Sequence, residues 1–382
     1  MRISLIGPTF PFRGGISHYT TLLYGHLALS HEVTLFAFKR QYPSILFPGK
    51  TDRDPSGTPM KVQDAERILD SMNPITWVKV ARKIIRSNQE LLIIPWWVSF
   101  WAPQFWTISF LVKLLTRTPI LFICHNVVEH ESRWIDKWLT ALVLRNGDAF
   151  IVHSREDEQN LLSRFPSAIV RRSPHPTYGV FNMAHPKGNS VRKKYGIRCP
   201  IILFFGFVRD YKGLKYLIKA LPDILSRVEV TLLVVGEFWK DKNTYLSLIR
   251  RLKLEKQIII IDEYVPNEDV AAYFKAADLV VQPYVSATGS GVVQVAYGFG
   301  RPVIATSISS LEAVVEDETT GYLVPPEDPD ALAGAIVRFF REGKAKVFSK
   351  NIERRKHRYS WDKMVRTIED AAVSGPARGN RT

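Results

Sequence analysis

Two cysteines, Cys124 and Cys199, are all that 382 residues contain. So few leave no disulfide framework and no cysteine-based metal site, and they fit a reducing compartment such as the cytoplasm. Metal-ligand spacing is missing more generally. His125 and His130 stand five apart with Glu129 between them, which is not the zinc-helix pattern, so no metal is expected. The chain has no Gly-x-Ser-x-Gly elbow, no GxGxxG fingerprint and no Walker A loop, so serine hydrolysis, hydride transfer and NTP hydrolysis gain no support. Low-complexity tracts and short-period repeats are also lacking. The start, Met1-Arg-Ile-Ser-Leu-Ile-Gly7, runs directly into an apolar strand-like segment without signal-peptide architecture, and secretion is not expected.

Negative charge is scarce as well. With 37 Asp and Glu against 52 Lys and Arg, the net charge is +15, a field that attracts nucleotides, phospholipid head groups, acidic glycans or nucleic acid. Nucleic acid is disfavoured because no binding module and no basic element interleaved with aromatics is found. The cluster Arg354-Arg-Lys-His-Arg358 reads either as a solvated helix face or as a contact for an anionic membrane. Residues 91–112 form the one long uncharged run. Pro95, Pro103, Gln104 and four tryptophans spread through its middle argue against a spanning helix, since spanning helices keep Trp at the interfaces. A buried strand at 91–94, an aromatic-rich loop and a helix account for it better, with shallow contact between the loop and a membrane surface as a separate expectation.

What the chain does have is length and apolar residues enough for two domains: 46% of 382 residues are hydrophobic. The first half opens as strand (3–6), glycine-rich loop (7–15) and helix (17–29), followed by strands at 33–38, 91–94, 120–124 and 149–153 and helices at 75–85 and 137–144. Residues 39–64, rich in Pro, Gly and charge, read as a long surface loop. Prolines and glycines punctuate 174–200. The second half restarts the same order: strand 201–205, loop 206–213, helix 214–225, strands 230–235, 258–261 and 279–282, helices 245–252 and 268–276, a closing strand at 321–326 and a helix at 330–340. This alternation predicts α/β architecture, two Rossmann-like doubly wound domains facing each other across a cleft, with both glycine loops directed into it. The predicted division is 1–178, a linker at 179–199, 200–360, and a C-terminal helix and tail at 361–382.

The most informative stretch is QPYVSATGSGVVQVAYGFGRPVIAT, residues 282–306. It reads as strand end, glycine-bearing loop, helix and strand, so a helix begins directly after Thr288, Gly289, Ser290 and Gly291. Free backbone N–H groups and the positive end of the helix dipole suit a phosphate there. A ligand-free glycine turn is the plain alternative. Arg209 and Lys212, in the loop ahead of Gly213, could bind a diphosphate or be two exposed turn cations. His125, Asn126, Glu129, His130 and Glu131 fall at a strand-end rim, where they could serve a ligand or merely cap a helix.

The order of these motifs resembles glycosyltransferase family 4, the retaining enzymes of the GT-B fold. The resemblance is carried by Gly14-Gly15, His125-Asn126-Val127 with His130-Glu131, Gly206-Phe-Val-Arg209 with Tyr211-Lys212-Gly213, and residues 298–305, and it extends over the chain. It implies transfer of a sugar from a nucleotide-diphosphate sugar to a hydroxyl acceptor in bacterial glycan, lipid-linked oligosaccharide or polysaccharide synthesis. The donor would be a co-substrate and no cofactor or metal would be needed. By the same resemblance Gly14 and Gly15 approach the donor, His125 contacts its sugar, and Arg209 and Lys212 hold the diphosphate. Thr288, Gly289, Ser290 and Gly291 would hold phosphates and sugar, with the base and ribose towards Val265 and Gln294. Asn126, Glu129, His130 and Trp97 would lie on the acceptor side. Relatives carry two glutamates separated by seven residues in this stretch, and here those places hold Ala287 and Val295, with Gln294 adjacent. This departure keeps two further readings open, a nucleotide-sugar-binding protein impaired in catalysis and an epimerase of the same fold. The expected location is cytoplasmic, with peripheral contact at the inner membrane face.

Overall fold

Runs of four to six apolar residues, rich in β-branched side chains and too short for helices, form strands buried on both faces. A computed structural model describes residues 1–43, 49–127, 134–182, 189–287 and 289–373. Its strands are β1 (Arg2–Gly7), β2 (Glu32–Arg40), β3 (Glu66–Asp70), β4 (Leu91–Trp96), β5 (Ile120–Cys124), β6 (Ala149–Val152) and β7 (Ile169–Arg172) in the first half. The second half supplies β8 (Ile201–Phe205), β9 (Thr231–Val235), β10 (Ile258–Ile261), β11 (Leu279–Gln282), β12 (Val303–Thr306) and β13 (Gly321–Val324). Among the described residues these make two sheets, ordered β3-β2-β1-β4-β5-β6-β7 and β10-β9-β8-β11-β12-β13. All pairings are parallel, as helical crossovers require.

Each sheet has one place where the strand order reverses. In the first it lies between β1 and β4, where Ile3 pairs with Leu91, and in the second between β8 and β11, where Ile202 pairs with Leu279. The loops that leave such neighbours diverge to opposite faces of the sheet and open a crevice beyond the carboxyl ends.

The chain divides into two compact units, one of residues 1–54, 59–174 and 360–382, the other of 55–58 and 175–359. In the first unit one face of the sheet is packed by Phe36, Trp96, Trp101, Phe105, Phe122 and Phe150. The other face is packed by Ile3, Leu5, Tyr19 and Leu23 together with Trp361, Met364, Val365 and Ile368 of the helix Trp361–Val373. In the second unit Phe204, Leu217, Ile218, Leu232, Val234 and Ile336 are among the residues that fill one face.

Several sequence expectations are corrected. The aromatic segment after β4 has only a short loop: Ser99–Trp101 is a single 3-10 turn that leads into the helix Ala102–Leu115. Its rings are core, with Trp96, Trp101 and Phe105 fully buried and Trp97 nearly so, and these buried rings cannot supply membrane contact. Pro103 sits in the first turn of that helix, where a missing N–H costs nothing. β2 runs on to Arg40, an unpredicted strand β3 follows at Glu66–Asp70, and the punctuated segment after 174 contains a short helix, Asn189–Tyr195. No helix among the described residues is long and apolar enough to cross a membrane.

Candidate functional site

In the second unit the loops at the strand-order reversal are locked together. Gly213 has φ 68°, and a Cβ there would lie 1.8 Å from the carbonyl oxygen of Pro283, so only glycine permits both the turn and the approach. The Val285 N–H donates to the Tyr211 carbonyl at 2.8 Å, a second tie between the loop after β8 and the loop after β11. Across this junction Lys212 reaches back over its own loop. A Cβ built on Gly206, whose φ is 99°, would meet Lys212 Nζ at 3.1 Å and Val292 Cγ2 at 3.5 Å, so the ammonium group lies beside the first turn of the helix Gly291–Gly298. Ser290 caps that helix, its Oγ accepting from the Val293 N–H at 3.4 Å. Arg209, Lys212, Ser290 and Gly291 therefore come to one end of one sheet, with Gly289 in the same loop. Thr288 lies outside the described residues.

Charge is concentrated there. Among the described residues neither Arg209 nor Lys212 has a carboxylate within ion-pair distance, and Asp210 between them is taken by Lys215 at 3.0 Å. Burial lowers the Lys212 pKa, the Arg209 charge lowers it further, and Tyr211 opposes both. A phosphate placed here would supply the counter-charge this pair lacks.

Gln294 shares a helix face with Gly291 and Gly298, where a Cβ would lie 3.6 Å from the Tyr178 ring and 3.3 Å from the Tyr178 carbonyl oxygen respectively. It is 0% exposed, and among the described residues neither its amide oxygen nor its nitrogen has a hydrogen-bond partner. Ala287 and Val295, the places where the family resemblance would put glutamates, are buried apolar side chains. Val265 is buried in the loop after β10, next to Tyr264, whose ring is 5.9 Å from that of Phe207 in the loop after β8.

In the first unit Gly14 and Gly15 follow β1 and start the helix Gly15–Leu27, and Trp97 follows β4, so the reversal point is lined by both. His125 and Asn126 follow β5. The His125 N–H donates to the Trp96 carbonyl and the Asn126 amide donates to the Trp97 carbonyl, each at 2.8 Å, which fixes the loop after β4 against the loop after β5. The His125 ring stands edge-on to Tyr19 at 4.5 Å and 5.1 Å from His153. Tyr19 belongs to the helix that Gly15 begins, so one packed cluster carries both the glycine turn and the histidine. Glu129 and His130 lie outside the described residues.

Sequence reasoning missed Asp157 and His153. Asp157 accepts from the Val127 N–H at 3.1 Å and from Ser154 Oγ at 2.7 Å, anchoring the backbone two residues beyond His125. Burial pushes its carboxyl up to about 6, the two hydrogen bonds opposing. His153 Nδ1 is 2.8 Å from the Ser173 carbonyl, and burial lowers its pKa to about 4, against that bond, so the ring is neutral near pH 7. The signal that could have found Asp157 is the Ser154-Arg-Glu-Asp157 order that caps a helix start. Among the described residues no group of three or more His, Cys, Asp or Glu is placed to hold a metal ion.

Known proteins resemble the chain in its second half and in its fold. Residues 199–342, fewer than half of the chain, match the model of glycosyl transferases group 1. An uncharacterized glycosyltransferase of Methanocaldococcus jannaschii is 27% identical over 203 residues, which are 52% of this chain and 51% of that protein, so the chain spans about half of its length. The GDP-mannose-dependent alpha-(1-6)-phosphatidylinositol monomannoside mannosyltransferase of Mycolicibacterium smegmatis is 26% identical over 345 residues, 85% of each chain. Among solved structures, Anabaena HepE in complex with UDP superposes with a TM-score of 0.73 at 17% identity, covering 98% of this chain and 100% of that one. The second unit thus matches the model of a group 1 glycosyl transferase domain, in a chain whose two parallel Rossmann-like sheets have the GT-B fold.

Proposed function

We propose that this protein is a metal-independent glycosyltransferase that moves a sugar, of the hexose type, from a nucleotide diphosphate to a hydroxyl acceptor with the anomeric configuration kept. The observation that carries the reading is the convergence of Arg209, Lys212 and the N-terminal turn of the helix Gly291–Gly298, with no carboxylate pairing either cation among the described residues. Positive groups fixed before reaction stabilise the charge that grows on a departing diphosphate, the work a metal ion does elsewhere. The domain match to group 1 transferases and the UDP in the HepE complex support a nucleotide-sugar donor. Retention rests on the resemblance of the motifs to family 4. In this reading Gly14, Gly15 and His125 approach the donor sugar, Thr288, Gly289, Ser290 and Gly291 bind phosphate and sugar, Val265 lies by the base, and Asn126, Glu129, His130 and Trp97 meet the acceptor.

The acceptor is a glycan or a lipid-linked glycan of bacterial polysaccharide synthesis, met at the cytoplasmic face of a membrane. Trp134 (77% exposed), Ile135 (46%) and Trp138 (58%) project from one turn of the helix Trp134–Leu144, beside Lys137, on a chain of net charge +15. Exposed tryptophan with lysine is suited to an anionic head-group layer.

The test is a screen of common nucleotide sugars for thermal stabilisation, then an assay for nucleoside diphosphate release with lipid-linked and soluble acceptors. Binding without turnover under all acceptors would favour the impaired binding protein, and sugar interconversion without acceptor the epimerase. Absence of salt-sensitive sedimentation with phosphatidylglycerol vesicles would remove the membrane.

Gln294 gives a prediction of mixed sign. Gln294→Met removes an unpaired buried amide, so the ligand-free protein is expected to gain about 1 kcal/mol or more, while donor binding weakens about tenfold through a lost hydrogen bond. Thermal melts and donor titration check both halves. Unchanged donor affinity would take Gln294 out of the site.

A further inference from the structure

The two cations at the centre of the proposed site lie against ring faces. Elsewhere in the same unit, three basic side chains that touch a ring also reach a carboxylate. Lys215 lies 5.2 Å from the Tyr216 ring and bonds Asp210, Lys242 lies 5.9 Å from Phe238 and bonds Asp262 at 2.7 Å, and Arg338 lies 4.8 Å from Tyr322 and bonds Glu318 at 2.8 Å. Arg209 differs. Its guanidinium carbon is 5.0 Å from the ring centre of Tyr211 and 5.0 Å from that of Trp239, and Lys212 Nζ is 5.2 Å from the ring centre of Tyr284. No carboxylate among the described residues pairs with either.

We propose that Tyr211, Trp239 and Tyr284 are positioning residues that hold the two diphosphate-binding cations by their ring faces. The inference rests on the function proposed above. An aromatic face attracts a cation through its quadrupole, by about 0.5–2 kcal/mol depending on desolvation, yet brings no negative charge. A carboxylate in the same place would fix the side chain as well, but it would cancel the charge and occupy the N–H donors that a phosphate needs. Ring contact leaves the donors of Arg209 in the guanidinium plane free to bond. The loop sequence serves the same end, because Lys215 draws off the Asp210 carboxylate, the acid next in sequence to Arg209. The three rings come from different places. Tyr211 is in the loop after β8, Trp239 in the loop after β9 and Tyr284 in the loop after β11, so the sheet order β9-β8-β11 assembles the holder.

The experiment is calorimetric titration of the full chain with inorganic pyrophosphate, which has no base to stack, and in parallel with UDP and GDP. Trp239→Leu is expected to bind pyrophosphate about fivefold more weakly than the parent, and Trp239→Phe, which keeps a ring, to recover most of the loss. In an Arg209→Ala background Trp239→Leu is expected to have no further effect, since the ring acts through the guanidinium. Tyr211→Leu, at a half-buried loop position, gives the same comparison should Trp239→Leu fail to fold. Wild-type affinity in both leucine variants would overturn the inference, as would a loss of the same size with and without Arg209. A parent protein that binds none of pyrophosphate, UDP and GDP would instead sink the diphosphate reading on which the inference stands.

Discussion

The double variant Arg209→Ala, Lys212→Ala is expected to lose sugar transfer by roughly four orders of magnitude or more while its melting temperature and far-UV spectrum stay close to the parent's. The size follows from removing two preorganised positive groups aimed at the leaving diphosphate, each of which is worth about a hundredfold or more when the reaction develops charge there. The indifference of the fold follows from what the two side chains do in the ligand-free protein. Neither has an ion pair or a side-chain hydrogen bond among the described residues, and the half-buried Lys212 ammonium is held against desolvation and against the charge of Arg209. Taking it away relieves an unfavourable term rather than breaking a favourable one. Nucleoside diphosphate release measured with the best donor and acceptor from the screen reads the loss. Normal turnover in the double variant would end the assignment of both residues.

Stability between pH 4 and 6.5 is expected to change direction according to which of two neighbouring buried groups is removed. The folded Asp157 carboxyl titrates near 6, above its unfolded value of 3.8, so the native state holds a proton the unfolded chain has given up, and stability falls as pH rises through that interval. His153 works in the opposite sense. Folded it titrates near 4, below its unfolded 6.5, so the unfolded chain binds the extra proton and stability rises with pH. Each amounts to roughly 3 kcal/mol, and in the parent the two nearly cancel. Asp157→Asn, which can still accept from the Val127 N–H, is expected to rise in stability with pH over this range. His153→Asn, which can still donate to the Ser173 carbonyl, is expected to fall. Urea midpoints at pH 4, 5 and 6.5 check the pair, and parallel profiles for parent and both variants would contradict the assignment.

Much of the fold was legible because buried parallel strands are continuous apolar runs, as in Ile201-Ile-Leu-Phe-Phe205 or Ile258-Ile-Ile-Ile261. The strands that escaped notice, β3 and β7, are the two edges of the first sheet. Their sequences, Glu66-Arg-Ile-Leu-Asp70 and Ile169-Val-Arg-Arg172, carry charge because one side faces water, and edge strands are kept charged against wrongful pairing. Pro95 misled in the same region. It is not a breaker but a paired residue of β4 opposite Ile123, and the helix after it starts on Pro103's preset φ. The glycine loops could be read because their residues are local. The ties of Asp157 to Val127 and of Trp239 to Arg209 could not, since each spans 30 positions and only the order of strands in the sheet makes those pairs neighbours.

The contact between Gly213 and the Pro283 carbonyl decides when the proposed phosphate cradle comes into being. Because the two loops interlock through backbone, with Val285 bonded to Tyr211 as well, the cradle takes shape as the second unit folds and does not wait for a ligand to order it. Such a site loses little conformational entropy on binding, and its capture of an anion is governed by diffusion and ionic strength rather than by loop closure. The same interlock couples the two loops over evolutionary time. A length change in either would displace both, and the loop after β9 joins the same constraint, since the Val208 N–H donates to the Glu237 carbonyl at 2.9 Å and a Cβ on Gly236 would lie 2.0 Å from the Gly206 carbonyl oxygen.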